Sequence, residues 1–348
     1  MWIKITDSAT GNYEDLNVEL FYPLKTSDLL KNNTKSFNIK AKITKNDYNP
    51  SKANQTVHVP LDFHENLTVF SLVDNGWLPA PFTIPPTFLI DRNILSTFEG
   101  SQKGKAHYSE NSWWFNPFHK SNKDSLEINV IFSALEGDKR KLPEFDIFLK
   151  NIEECSQIVT KQFKNVIVSE LTNFQLKIIY DFLTKNYNDF IGFLMEVSPF
   201  IYQSVSYKNK NSILDKIFNL AKKYKLKEHS HILLLAIACL YESPASNSRK
   251  KFARKILKPK ENYSMEIAHN CIFDVLFIDL LLLLKHYANT NYSGLSADKP
   301  LSIYWTIINP KLSLQQSDFT YTLEIKHELF ESASTSDHQN IIARLKAL

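Results

Sequence analysis

The sequence predicts an α/β protein, and three observations lead there. The short apolar run Thr87-Phe88-Leu89-Ile90 stops abruptly at Asp91, as a buried strand of a parallel sheet does when its carboxyl end is kept for ligands. Long stretches between residues 124 and 287 carry apolar side chains at the i, i+3, i+4 and i+7 spacing of helices. The first 75 residues are strand-rich instead.

In that N-terminal part, Trp2 to Thr6, Val18 to Tyr22, Phe37 to Thr44 and Thr56 to Val59 read as strands separated by Asn, Ser, Lys and Pro turns. They make a small β-rich segment over residues 1–80. Asn66 to Pro81 reads as a connector in which Trp77, Pro79 and Pro81 dock the chain onto the main body. The strand over 87–90 then runs into Asp91-Arg92-Asn93. Taken alone, such an Asp-x-Asn is best read as the cap of a following helix. The next loop holds His107, Tyr108, Trp113, Trp114, Phe115, Phe118 and His119. Its rings suit base stacking or a satellite core, and its two histidines lack the third ligand of a zinc site.

From Asp124, as N-cap, a helix is predicted that buries Ile128, Ile131, Phe132 and Leu135 and stops at Gly137. Glu136 then lies at its C-terminal end, where the helix dipole disfavours an anion and a cation or metal would compensate. Residues 150–260 are read as a mostly helical insertion, with helices over Phe174 to Leu183, Ile213 to Tyr224 and His231 to Tyr241 and a strand near Asn165 to Ser169. Pro199 and Pro244 punctuate them. His229 and His231 fit helix capping or solvation.

The helix Met265 to Tyr287 is apolar nearly all round, yet contains Asn270 and Asp274, four apart on one face. An ionised Asp there needs a cation, so Asp274 reads as either a salt bridge or a metal ligand. Asp279 points elsewhere on the helix. A strand ending in Ser296-Ala297-Asp298 follows, then an edge strand over Phe319 to Ile325 and a final helix within Asp337 to Leu348.

Composition narrows the classes. The 348 residues, 43% of them hydrophobic, allow a large core, and 7 glycines with no GxGxxG or Walker pattern argue against a glycine-rich nucleotide loop. The net charge of +4 is small but bunched. Lys222, Lys223, Lys225 and Lys227 form one basic run. Arg249, Lys250, Lys251, Arg254, Lys255, Lys258 and Lys260 form another without an acid, which suits a phosphate backbone. Cys155, Cys239 and Cys271 read as buried thiols of a reducing compartment. The start Met1-Trp2-Ile3-Lys4-Ile5 lacks the character of a signal peptide. The run Cys271 to Leu284 falls short of the roughly 20 residues of a membrane span. The expectation is a soluble, cytoplasmic protein without membrane contact.

Asp91 and Asp298 at strand ends, with Glu136 and Asp274 on helices, would repel one another unless divalent cations joined them. The order Asp91-Arg92-Asn93, Glu136, Asn270 with Asp274, and Ser296-Ala297-Asp298 resembles the PIN-like nuclease superfamily over residues 85–330. The resemblance implies a three-layer α/β/α sandwich with a central parallel sheet over 81–330, enlarged by the helical insertion and followed by a helical tail at 331–348. It also implies a metal-dependent nuclease, most often an endoribonuclease, in the manner of toxins or antiviral effectors. By that likeness Asp91, Glu136, Asp274 and Asp298 hold Mg²⁺ or Mn²⁺. Asn93, Asn270 and Ser296 support them, and Lys222, Lys223, Arg249, Lys250, Lys251, Arg254 and Lys255 meet RNA more readily than DNA. Glu99, Glu110, Glu144 and Asp146 remain alternatives for the Glu136 place. A regulatory protein partner, a homo-oligomer, a structure-specific DNase and a nucleic-acid-binding module with a degenerate site all stay open.

Overall fold

The computed structural model describes residues 2–6, 13–31, 35–46, 55–62, 67–83, 87–103, 126–137, 141–242, 251–287, 292–313 and 320–348. Its first strands, β1 (Trp2–Thr6), β2 (Tyr13–Phe21), β3 (Ser36–Asn46) and β4 (Thr56–Asp62), form an antiparallel sheet in chain order. The short helix α1 (Thr26–Leu29) lies between β2 and β3. The period of two in β3 explains its orientation: Phe37, Ile39, Ala41 and Ile43 are buried, while Asn38 and Lys40 face solvent.

The predicted connector is instead a hairpin, β5 (Phe70–Val73) and β6 (Gly76–Pro79), built into the main sheet. Asp74 and Asn75 make the two-residue turn, Asn75 at φ 64, and Gly76 opens β6 where a Cβ would fall 2.2 Å from the Leu24 carbonyl oxygen. Trp77 does dock the two sheets together. Its ring meets Phe37 and Phe70 edge-on, and its indole N–H donates to the Lys25 carbonyl.

The chain continues as β7 (Thr87–Ile90), α2 (Arg92–Gln102), β8 (Leu126–Asn129) and α3 (Ile131–Glu136). The predicted single helix over this last stretch is thus a strand and a short helix. Asn129 makes the break by accepting the Ile131 N–H on its side chain at 3.0 Å. Ile128, Ile131, Phe132 and Leu135 are all buried, so the burial was read correctly and the element was not. Asp124 lies outside the described residues, as do the aromatic loop residues 107–119.

Next come α4 (Phe145–Gln162), β9 (Val166–Val168), α5 (Asn173–Thr184), α6 (Tyr187–Ile201), α7 (Tyr207–Lys223), α8 (His231–Tyr241) and α9 (Phe252–Leu257). Pro199 sits in the last turn of α6 rather than between helices. The chain closes with α10 (Met265–Tyr287), β10 (Tyr292–Ser296), α11 (Lys299–Ile308), the small pair β11 (Lys311–Ser313) and β12 (Thr320–Thr322), and α12 (Thr335–Lys346). The predicted edge strand is therefore β12, paired only with β11 and not with the main sheet.

The main sheet has the order β6-β5-β10-β7-β8-β9 and is flanked by helices. Strands β10, β7, β8 and β9 run parallel, while β5 and β6 are antiparallel. The expected central parallel sheet is thus part of a mixed one, because the β5–β6 hairpin needs only a two-residue turn where a parallel pair needs a crossover. Among the described residues α10 is the one helix long and apolar enough to cross a membrane. It is longer than the run identified from sequence, and 78% of its most apolar window is buried inside the fold.

Candidate active site

Strands β7 and β10 are parallel neighbours, with Ile90 opposite Leu295, so their carboxyl ends lie side by side. Asp91 leaves β7 and caps α2: its Oδ1 accepts the Ile94 N–H at 2.8 Å. Its Oδ2 accepts the Ser296 hydroxyl at 2.8 Å. The Ser296 oxygen in turn accepts the Asp298 N–H at 3.0 Å, and Asp298 caps α11 through the Leu301 N–H at 2.7 Å. Both acids are therefore helix caps. The capping reading of Asp91 holds, and it does not exclude a ligand role.

Helix α10 supplies Asp274. It lies close on β10 because Gly294 has no side chain: a Cβ there would fall 2.9 Å from a Phe277 ring carbon and 3.0 Å from Leu281. Phe273 and Phe277 pack on Phe132 of α3 with ring centroids 6.0 and 5.1 Å apart. Glu136 is one turn beyond Phe132, and Ser133 ties α3 to β7 through a hydrogen bond to the Ile90 carbonyl. Gly137, at φ 57, ends the helix there.

Charge links Asp274 with Asp298, Asp91 and Glu136, and Asp91 with Asp298. Burial, at 6% exposure, pushes the Asp91 carboxyl up to about 6. The Ile94 N–H and the Ser296 hydroxyl oppose that rise, and the charge of Asp298 adds to it. Asp274, whose side chain is 24% exposed, is held well above the ordinary carboxylate range by desolvation, then by Asp298. Lys258 pulls against this, and Glu136 and Asp91 add to it. Desolvation likewise raises Asp298, against the Leu301 N–H, Lys258 and Lys255.

The supporting residues divide. Ser296 bridges Asp91 and Asp298, whereas Asn93 is exposed in the first turn of α2, where its carbonyl accepts the Thr97 hydroxyl. Asn270 is half-buried one turn before Asp274. Of the alternatives for Glu136, Glu99 pairs with Lys103 on the outside of α2, and Glu110 lies outside the described residues.

The basic residues divide too. Arg254 is a structural peg: its guanidinium donates to the carbonyls of Tyr202, Gln203 and Cys239. Lys223 pairs with Glu196, Lys222 is exposed at the end of α7, and Lys251 is half-buried. Arg249 and Lys250 lie outside the described residues. Lys255 is exposed and acts on Asp298, while Lys258, not singled out beforehand within its basic run, stands 4.0 Å from Asp274 Oδ2. Glu242 was also missed. Its Oε1 accepts the Ala253 N–H at 2.7 Å and so holds the start of α9.

His231 is neither solvated nor a simple cap. It is buried, its Nδ1 lies 2.8 Å from the Tyr304 hydroxyl, and Asp279 is 3.5 Å from its Nε2. Asp279 thus belongs to a separate contact from Asp274. Cys155, Cys239 and Cys271 are buried thiols, none in a disulfide.

The donors at the cluster are all hard carboxylate oxygens with excess negative charge, which in kind suits Mg²⁺ or Mn²⁺. Among the described residues, however, no three His, Cys, Asp or Glu side chains stand as a ready group for an ion. Compared with known proteins, the chain matches no family model, no curated protein and no solved structure.

Proposed function

We propose that the protein is a metal-dependent nuclease of PIN-like design, hydrolysing phosphodiester bonds of RNA in preference to DNA, in the cytoplasm and away from membranes. In this reading the β10-β7-β8-β9 strands are the centre of a three-layer α/β/α sandwich. One observation carries the proposal: Asp91 and Asp298, bridged by the Ser296 hydroxyl, lie beside the carboxyl ends of two adjacent parallel strands, and Asp274 of α10 lies close enough for their charges to raise its pKa. Asp91, Asp274, Asp298 and Glu136 would hold the ion. When bound, Mg²⁺ or Mn²⁺ supplies Lewis acidity to water and to the phosphodiester oxygens. Ser296 orients Asp91, the two caps keep Asp91 and Asp298 in place, and Lys255 adds positive charge for a phosphate. The preference for RNA and a role as toxin or antiviral effector rest on the superfamily resemblance alone.

The experiment is cleavage of single-stranded RNA and of branched DNA, side by side in Mn²⁺, by the wild type, Asp91→Asn and Asp298→Asn. Loss of RNA cleavage in both variants, with circular dichroism unchanged, is expected; full activity in both would dispose of the proposal. A second reading, a nucleic-acid-binding module with a degenerate site, is favoured by the absence of a ready three-residue ion group among the described residues. RNA binding without cleavage in any divalent ion would select it.

A further inference from the structure

We propose that the cleft between α1, α9 and α11 binds a small organic ammonium, an amine with an apolar body, through the carboxylate of Glu242. The cleft shares no residue with the acids at the carboxyl ends of β7 and β10, so it stands or falls apart from the nuclease reading.

The cleft, of about 230 Å³, opens between α1, the start of α9, α11 and the 3₁₀ turn His327–Phe330. Phe252, Ile303 and Leu329 are its buried apolar walls, and the Phe252 ring is stacked on Tyr304 with centroids 6.1 Å apart. Its charged lining has one sign. Glu242, Glu328 and Glu331 line it, and among the described residues no Lys, Arg or His does. Glu328 and Glu331 are exposed, and acids at a surface rim assign nothing by themselves.

Glu242 is different. It is only 7% exposed, and its Oε1 accepts the Ala253 N–H at 2.7 Å, while its Oε2 is buried with no hydrogen-bond partner among the described residues. Arg254 Nε stands 3.6 Å from that oxygen, too far for a hydrogen bond, and the terminal guanidinium nitrogens are taken up by the carbonyls of Tyr202, Gln203 and Cys239. Holding the start of α9 needs one carboxylate oxygen. The second, desolvated and without a donor, costs free energy that an N–H donor carrying positive charge recovers on entering the cleft. An apolar body behind that ammonium meets Phe252, Ile303 and Leu329. At about 30 Å³ for each water of the liquid, the cleft offers roughly eight such volumes, which suits one ring or a short chain.

Phenethylamine is the probe, titrated into the full chain at pH 8 and followed by ligand-observed NMR. Burial pushes the Glu242 carboxyl up to about 7, against the Ala253 and Arg254 N–H groups and the charges of Arg254 and Lys251, so at pH 8 it is largely ionised. The amine, close to the lysine value of about 10.4, stays protonated there. Saturable binding of phenethylamine is expected, with phenethyl alcohol at least tenfold weaker and phenylacetate not binding. Glu242→Gln keeps an oxygen for the Ala253 N–H and is expected to weaken the amine tenfold or more with circular dichroism unchanged. Should that variant melt early, Glu328→Gln combined with Glu331→Gln on the exposed rim is expected to weaken the amine about threefold. No binding of phenethylamine to the wild type, equal binding of the three probes, or unchanged affinity in the variant that folds would overturn the proposal. Displacement of the amine by an equal concentration of Mg²⁺ would overturn it too, because the site would then be one for a bare cation.

Discussion

At the scale of single residues the clearest consequence concerns Asp91. Its folded-state pKa of about 6 lies above the ordinary value near 3.9. Between those values the folded chain binds the extra proton, so stability falls as pH rises through that window and stays low above about pH 6. Burying this charge costs about 3 kcal/mol at 1.4 kcal/mol per unit. Asp91→Asn keeps an oxygen for the Ile94 N–H and should raise unfolding free energy in EDTA at pH 8 by about 2 kcal/mol while losing activity. Its advantage should vanish near pH 4. Urea unfolding at the two pH values decides it, and equal stability of the two proteins at pH 8 would mean that Asp91 is compensated in a way this geometry lacks. Ser296→Ala works in the opposite sense. It removes a donor to Asp91, so it should cost about 1 to 2 kcal/mol and move the Asp91 titration upward; denaturant midpoints across pH would register both effects.

At the scale of elements the site depends on how closely α10 lies on β10. Gly294 sets that distance, and Gly294→Ala would place its new Cβ within 3.0 Å of Phe277 and Leu281. The helix has to move by a few tenths of an ångström, at about 1 to 3 kcal/mol. Because Asp274 rides on the same helix, Mn²⁺ affinity should fall along with the melting temperature. A loss of stability with affinity untouched would show that Asp274 is not positioned through this contact. The two strand-to-helix junctions are more robust. Asp91 and Asp298 are each tied to the first turn of the following helix, so a carboxylate at the strand end is local structure before it is chemistry. A cap by itself accounts for Asp-x-Asn, which is why that motif could not separate a cap from a ligand.

At the scale of the whole molecule Trp77 joins the N-terminal sheet to the main sheet. It is fully buried between Phe37 and Phe70, and Leu24 pairs with it across the junction. Trp77→Ala should cost about 3 to 5 kcal/mol, and hydrogen exchange over residues 36–46 should rise to well above that over 87–90. Uniform acceleration of both sheets would mean that they unfold as one unit. Much of the architecture was legible before any coordinates. The N-terminal strands, the helices α5, α7, α8 and α10, and the cut-off at Gly137 follow from periodicity and caps, which are local. The errors fell where a few residues are decided by distant partners: 126–129 becomes a strand because β7 and β9 stand on either side of it, and 70–79 becomes a hairpin because β10 offers an edge.

The sequence by itself determined the α/β class and much of the burial pattern, since these depend on the spacing of apolar residues along the chain. Only the tertiary structure decided that the sheet is mixed, that Arg254 is a peg while Lys258 faces Asp274, and that acids more than a hundred residues apart share one field. Charge interactions act through space, and a chain that folds back on itself sets those distances by packing, which no local pattern encodes.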